Sequence, residues 1–266
     1  MVSATRAFVD GEPATAAALI RFARSSYGHF TTMQVRAGAV RGLGLHLARL
    51  DEATRQLFDT SLDLALLREH MRAALTGSPD AAIRISIGAR NYSAQAMPSP
   101  AQIETLVLVD LPASGRTTPT RLATFEHVRH LPQLKHRGNF DLFELRRRAL
   151  TQGFDDALLL TPEGHIAEGA TFNVGFFQGE SLIWPLAPQL EGTSLRLLQQ
   201  AQEDLGGQNL MRRIDLSQIE QVEGGFCCHS GAIWPIAAID HQALPLNATG
   251  LTRLRRLWTE IPGEAV

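Results

Sequence analysis

Beyond residue 120 the chain is a succession of short β-branched and aromatic runs, each closed by a turn signal, and this pattern calls for a mixed sheet or barrel, not a regular βαβ array. Strands are expected at 120–125, 156–160, 165–168, 171–177, 180–184, 208–213, 223–229 and 233–239. Thr161-Pro162-Glu163-Gly164 and Gln178-Gly179 supply two of the turns. Helical spacing is confined to 140–151, a stretch opening after Glu191-Gly192-Thr193-Ser194, and a final amphipathic segment with Leu251, Leu254 and Leu257. Upstream, strands are expected at 5–9, 29–36, 82–88 and 103–110, with Ala37-Gly38 turning the chain into Val40 and Arg41. HLARLDEATRQLF repeats Leu47, Leu50, Ala53 and Leu57 at helical spacing, and a second helix, DLALLREHMRAAL, stops at Thr76-Gly77-Ser78-Pro79. The stretch PASGRTTPT reads as a linker. It divides the chain into a small N-terminal α/β domain (1–112), the linker proper (113–120) and a larger C-terminal domain (121–266). The class is α/β in the loose, α+β sense.

Composition removes several functions. A net charge of −2 gives no electrostatic footprint for nucleic acid or an anionic membrane. No apolar run reaches the roughly 18 residues a spanning helix needs. The start MVSATRAFVDGE carries Asp10 and Glu12 where an export signal would be apolar, so a cytoplasmic protein is expected. The two cysteines, Cys227 and Cys228, are adjacent, which offers neither a disulfide framework nor a zinc spacing. Adjacent strand positions point to opposite faces, so two buried thiols are expected and no metal. No Gly-rich nucleotide-binding motif is present.

Of the 25 basic residues, 24 are Arg, and Lys135 is the only lysine. Either the sequence is biased towards Arg and Lys135 is a leftover surface charge, or Lys135 marks the one place where a primary amine is needed. A guanidinium stays protonated and cannot serve as an amine nucleophile. Lys135 lies in LPQLKHRGNF, after a strand-like segment and before a helix, with His127, His130 and His136 nearby. Loops after strands commonly display catalytic groups.

Lysine catalysis usually means condensation with a carbonyl, most commonly the aldehyde of pyridoxal 5'-phosphate (PLP). Such a site also needs a carboxylate opposite the ring nitrogen and an Arg or helix N-terminus for the phosphate. Glu168, ending a strand in GHIAEGATFNVGFF, is either that carboxylate or a solvated turn residue. Arg49 in HLARL is either a phosphate ligand or an ordinary helix arginine. Thr193 and Ser194 open a helix, as an anion site or as plain N-caps. On the substrate side the candidates are Tyr27, His29, Thr32, Arg84, Arg90 and His229. Arg84 alternates with Ile83, Ile85 and Ile87, so it lies on the opposite strand face from theirs.

From about residue 26 to about residue 240 the chain resembles the class IV aminotransferases, the fold type IV PLP enzymes. The likeness is most specific in KHRGNF…GFDDALLLTPEGHIAEGATFNVGFF, with further matches in FTTMQV, HLARL, LEGTSLRLL and HSGAIWPIAAID. The resemblance implies that Lys135 is the Schiff-base lysine and Glu168 the ring-nitrogen partner. It implies that Arg49, Thr193 and Ser194 hold the phosphate, beside His229 and Ser230. It also implies a small N-terminal α/β domain, a larger barrel-like mixed-sheet C-terminal domain, PLP in the cleft, and a homodimer. The expected reaction is amino transfer between an amino acid or amine and a 2-oxo acid. The alternative within the family is an aminodeoxychorismate lyase, releasing pyruvate and 4-aminobenzoate. Phe140 stands where aminotransferases often carry a tyrosine, Thr32 matches a threonine of the lyases, and Cys228 replaces a lyase-type asparagine. A binding module on the same fold would need none of Lys135, Glu168 and Arg49.

Overall fold

In HFTTMQVR, every second side chain from Thr31 onward is fully buried, as in a strand with one face on a core. The computed structural model describes residues 5–93 and 95–266, and these divide into two compact units. One holds the chain up to Ser114 together with Leu134–Gly138 and Gly263–Val266; the other holds Gly115–Gln133 and Asn139–Pro262.

The first unit contains β1 (Arg6–Val9), β2 (Glu12–Pro13), α1 (Ala16–Arg24), β3 (His29–Arg36), β4 (Ala39–Arg41), α2 (Leu43–Phe58), α3 (Leu64–Leu75), β5 (Ala81–Ala89) and β6 (Ile103–Asp110). Among the described residues the strands form one antiparallel sheet. Its order is the C-terminal strand Gly263–Ala265, then β4, β3, β5, β6, β1 and β2. Met33 and Val35 of β3 pack with Ile83, Ile85 and Ile87 of β5 against Leu43, Leu47, Leu50 and Phe58 of α2 and Met71 of α3. Each such side chain contributes roughly 2 kcal/mol by leaving water. The Asp63 carboxylate caps α3, accepting from the N–H groups of Ala65 and Leu66.

Two features depart from the sequence reading. Helix α1 is not among the expected elements, because only Ala18 and Phe22 of it are buried and the apolar stripe is too thin to read. The lysine segment, assigned to the larger domain by its place after the linker, belongs to the first unit together with the C-terminal strand. Backbone pairing decides this: Gly263–Ala265 pairs with β4, and His136 bridges His29.

The second unit contains β7 (Thr120–Glu126), α4 (Phe140–Thr151), β8 (Asp156–Leu160), β9 (Ile166–Gly169), β10 (Asn173–Gln178), β11 (Ser181–Pro185), α5 (Thr193–Asp204), β12 (Asn209–Arg212), β13 (Gly225–His229), β14 (Ala232–Ile239), β15 (Gln242–Ala243) and α6 (Ala248–Glu260). Its sheet runs β12-β11-β10-β13-β14-β7-β8-β9, with β15 beside β14. The pairs β11/β12, β7/β14 and β7/β8 are parallel, so the sheet is mixed. It curls until β9 meets β10 and β11. One interior cluster holds Phe172, Val174, Phe176 and Trp234; another, holding Trp184, Phe226 and Leu198, packs α5 and α6 on the outside.

Gly175 shows how tightly that layer is closed. It pairs with Phe226 across β10 and β13, and a Cβ there would lie 2.4 Å from the Phe226 ring. Gly175→Ala is expected to destabilise the protein by about 1–3 kcal/mol, because overpacking forces the ring off its rotamer. Urea unfolding measures this; an unchanged midpoint would show that the layer yields.

Candidate active site

The lysine is placed by a gap in the first sheet. Along β3, strand β4 pairs with Val35 and Arg36 alone, leaving the other end of β3 without a strand neighbour on that side. The lysine segment takes the place: Phe30 N–H donates to the Lys135 carbonyl at 2.9 Å, and Arg137 N–H donates to the Gly28 carbonyl at 2.9 Å. Gly28 has φ +147°, and a Cβ on it would lie 2.4 Å from the Ile87 carbonyl oxygen, so only glycine fits.

Lys135 Nζ lies 5.0 Å from the centre of the Phe30 ring, and the Arg84 guanidinium stacks on the same ring at 3.7 Å. Thr32 is directly opposite Arg84 across β3 and β5. Lys135, Thr32 and Arg84 are therefore brought together around one ring. Burial pushes the Arg84 pKa down, and the nearby Arg137 charge adds to this.

The face of β3 turned to α2 carries a polar cluster. Arg49 Nη2 donates to Thr31 Oγ1 at 2.5 Å, and Thr31 Oγ1 lies 2.7 Å from His46 Nδ1. Because Arg49 can only donate, the Thr31 hydroxyl proton is left for His46 Nδ1. Burial holds the His46 pKa well below its usual value, reinforced by the charges of Arg49 and Lys135. Lys135 thus lies within electrostatic reach of the Arg49 cluster.

The remaining first-unit candidates have partners of their own. His29 is 1% exposed and turns towards α2, where its Nε2 meets Thr54 Oγ1 at 2.9 Å. Thr54 gives its own proton to the Leu50 carbonyl, so His29 donates, as a neutral ring does. The Tyr27 hydroxyl donates to the Leu57 carbonyl, and its ring packs on Phe58 and Tyr92. Arg90 is ion-paired with Asp10 and lies 3.9 Å from Glu104.

In the second unit Glu168 is buried on β9. Its Oε1 accepts from Leu190 N–H at 3.2 Å and lies 3.9 Å from Arg129 Nε. Asn173 staples the loop that leads into α5. Its Nδ2 donates to the Leu190 carbonyl at 2.7 Å, and its Oδ1 accepts from Gly192 N–H at 3.2 Å. A Cβ on Gly192 would fall 2.3 Å from that oxygen. Helix α5 then opens with Thr193 and Ser194, both buried. First-turn amides have no acceptor within their own helix. The Ser194 hydroxyl is buried with no hydrogen-bond partner among the described residues.

His229 ends β13 exposed, with Nδ1 accepting from Gly231 N–H, and Ser230 lies in the turn that follows. Cys227 and Cys228 are fully buried in different clusters, as expected of adjacent strand positions. Burial pushes the Cys228 thiol up to about 12. Phe140 is 78% exposed at the start of α4. Among the described residues no His, Cys, Asp and Glu cluster could hold a metal ion.

Sequence reasoning passed over Thr31, His46, Arg129 and Asn173. The spacing of His46 and Arg49 puts them on neighbouring helix positions, a usable signal. Arg129 gives none, because it sits in irregular chain after β7 and its partner lies far along the sequence.

The profile of the amino-transferase class IV family matches residues 28–239. The chain belongs to that family. A probable branched-chain-amino-acid aminotransferase of Rickettsia felis (strain ATCC VR-1525 / URRWXCal2) is 38% identical over 82 residues, which cover 30% of this chain and 28% of that protein. The chain thus matches under a third of that relative's length. Among solved structures, the 4-amino-4-deoxychorismate lyase from Pseudomonas aeruginosa is similar at a TM-score of 0.78 and 23% identity, over 96% of this chain and 99% of that one. The fold IV-transaminase from Curtobacterium pusillum gives 0.74 and 21%, over 87% and 83%. A hypothetical aminotransferase from Mycobacterium tuberculosis, in its PLP-bound form, gives 0.79 and 16%, over 96% and 98%. The expected mixed α/β fold with a curled sheet is the one these proteins share.

His29 makes the fold sensitive to acid. Burial, then the charge of Arg49, lowers its pKa from 6.5 to about 3. Below pH 6.5 the unfolded chain binds a proton that the folded protein refuses, so stability is full above that value and falls as pH drops towards 3. The slope per histidine is up to about 1.4 kcal/mol per pH unit. His29→Asn should flatten the pH dependence of the urea midpoint between about pH 6 and pH 4 by one proton; an unchanged slope would show that His29 titrates normally.

Proposed function

We propose that this chain is a PLP-dependent aminotransferase, moving an amino group between an amino acid or amine and a 2-oxo acid. The observation that carries the reading is Ser194, whose hydroxyl is buried without a protein partner at the first turn of α5. A phosphate oxygen would satisfy it and the first-turn amides together. Thr193 and Ser194 would hold that phosphate, and Arg49, Ser230 and His229 are the further candidates for it. The donor set suits the rest of the coenzyme too: Lys135 is the only amine side chain, and Glu168 is a buried carboxylate for a protonated ring nitrogen.

When bound, PLP supplies an aldehyde for a primary amine and a ring that withdraws electrons from the carbon bearing the amino group. Lys135 Nζ, once unprotonated, accepts the proton from that carbon. Arg84 shares the Phe30 ring with it. Glu168 holds the compensating negative charge. Arg84 meets a substrate carboxylate, and the Thr32 hydroxyl opposite it donates or accepts a hydrogen bond there. Tyr27 belongs to an aromatic wall with Phe58 and Tyr92, and His29 contributes through packing.

A second reading, an aminodeoxychorismate lyase, draws on Thr32 and on Phe140, whose ring offers no hydroxyl. The chain acts in the cytoplasm as a homodimer; among the described residues no helix is long and apolar enough to cross a membrane.

Incubation of the purified protein and PLP with L- and D-amino acids, (R)-amines and aminodeoxychorismate, following absorbance and pyruvate, separates the two readings. A transaminase stalls after one half-reaction unless a 2-oxo acid is present; a lyase releases pyruvate without one. Lys135→Ala should lower turnover by more than about a thousandfold. Ser194→Ala should weaken PLP binding about tenfold, which corresponds to about 1.4 kcal/mol. Protein that does not take up PLP, or turnover surviving in Lys135→Ala, would sink the proposal.

A further inference from the structure

We propose that Arg129 is a positioning residue that keeps Glu168 ionised and oriented inside the second unit, ready for a cationic ring nitrogen. This rests on the reading of Glu168 as the carboxylate that meets the coenzyme. The mechanism above makes no use of Arg129, yet it is 6% exposed in irregular chain after β7, where an arginine would ordinarily reach water.

Glu168 is 4% exposed, between apolar neighbours on a short strand. A buried carboxylate lacking a counter-charge takes up a proton instead of staying charged. A protonated Glu168 could accept a hydrogen bond but would carry no charge to balance a cation. Its Oε1 accepts from the Leu190 amide at 3.2 Å and faces the Arg129 guanidinium, with Nε 3.9 Å away. Asn173 holds the Leu190 carbonyl, so the amide is aimed by a rigid loop. The guanidinium supplies charge and the amide supplies direction. Burial lowers the pKa of Arg129 and the Glu168 charge raises it again, so each group supports the ionised form of the other.

Among the described residues, two charged groups on the flanking elements have partners of their own. Asp156 of β8 faces Arg146 at 3.3 Å, and His165, at the turn into β9, lies 3.7 Å from Asp215. Breaking a buried pair from one side strands the remaining charge, so loss of Arg129 should be answered at Glu168 by protonation.

The test reads Glu168 directly in the coenzyme-free protein. Isotope-edited infrared difference spectra, with the Glu168 band assigned by its loss in Glu168→Gln, distinguish carboxylate from carboxylic acid at neutral pH. Wild type and Arg129→Lys should show the carboxylate, and Arg129→Leu the acid. PLP affinity should fall about tenfold in Arg129→Leu, be largely rescued in Arg129→Lys, and not fall further when Arg129→Leu is added to Glu168→Gln. An ionised Glu168 in Arg129→Leu, or an equal affinity loss in the Glu168→Gln background, would overturn the positioning role. If Arg129→Leu does not fold, Arg129→Lys decides alone: a protonated Glu168 there overturns the proposal, and a carboxylate with near wild-type affinity supports it. Unchanged PLP affinity in Glu168→Gln would instead remove the role of Glu168 towards the coenzyme, a failure separable from that of Arg129.

Discussion

One backbone hydrogen bond, from Phe30 N–H to the Lys135 carbonyl, determines where the only primary amine side chain of this protein stands. A lysine on an open loop would sample many positions. Tied to the edge of β3, it is held over the Phe30 ring beside Arg84 and within the field of Arg49. Strand register, ring contact and charge thus act on the same nitrogen.

The two buried acid–base centres are managed differently. In the first unit, His29 and His46 are kept neutral by burial and by adjacent positive charge, so that Thr31 and Thr54 can hydrogen-bond them as ordinary polar groups. In the second, Glu168 lies beside the buried Arg129 and a backbone amide. Neutralisation suits a scaffold histidine that only has to orient its neighbours, whereas a counter-ion suits a group whose charge is to be used.

Much of the fold was legible because its strands and long helices carry strong periodicity. The alternation in HFTTMQVR and the Leu47–Leu50 stripe match β3 and α2 closely. Helix α1 escaped because two buried residues, Ala18 and Phe22, leave almost no pattern. The allegiance of the lysine segment escaped for another reason: it is decided by a vacancy on a distant strand edge, and local sequence says nothing about vacancies. Lys135 and Glu168 stood out by rarity and by their family motif. Arg129 and Asn173 did not, since their partners are spatial neighbours with no fixed spacing. His29 was read as a substrate-side group because strand parity alone cannot say which face is the core.

The brevity of β4 has its own consequence. Gly42, in the left-handed region at φ +66°, ends the strand and starts α2 at once. Had β4 continued about five residues further in the same register, as far as Phe30, its carbonyls would have claimed the Phe30 N–H that Lys135 now uses. The lysine would then be shut out of the sheet without any change to its own sequence. Where a hairpin stops thus decides where this side chain stands, and lineages that lengthen the turn would be expected to displace the lysine before they lose the fold.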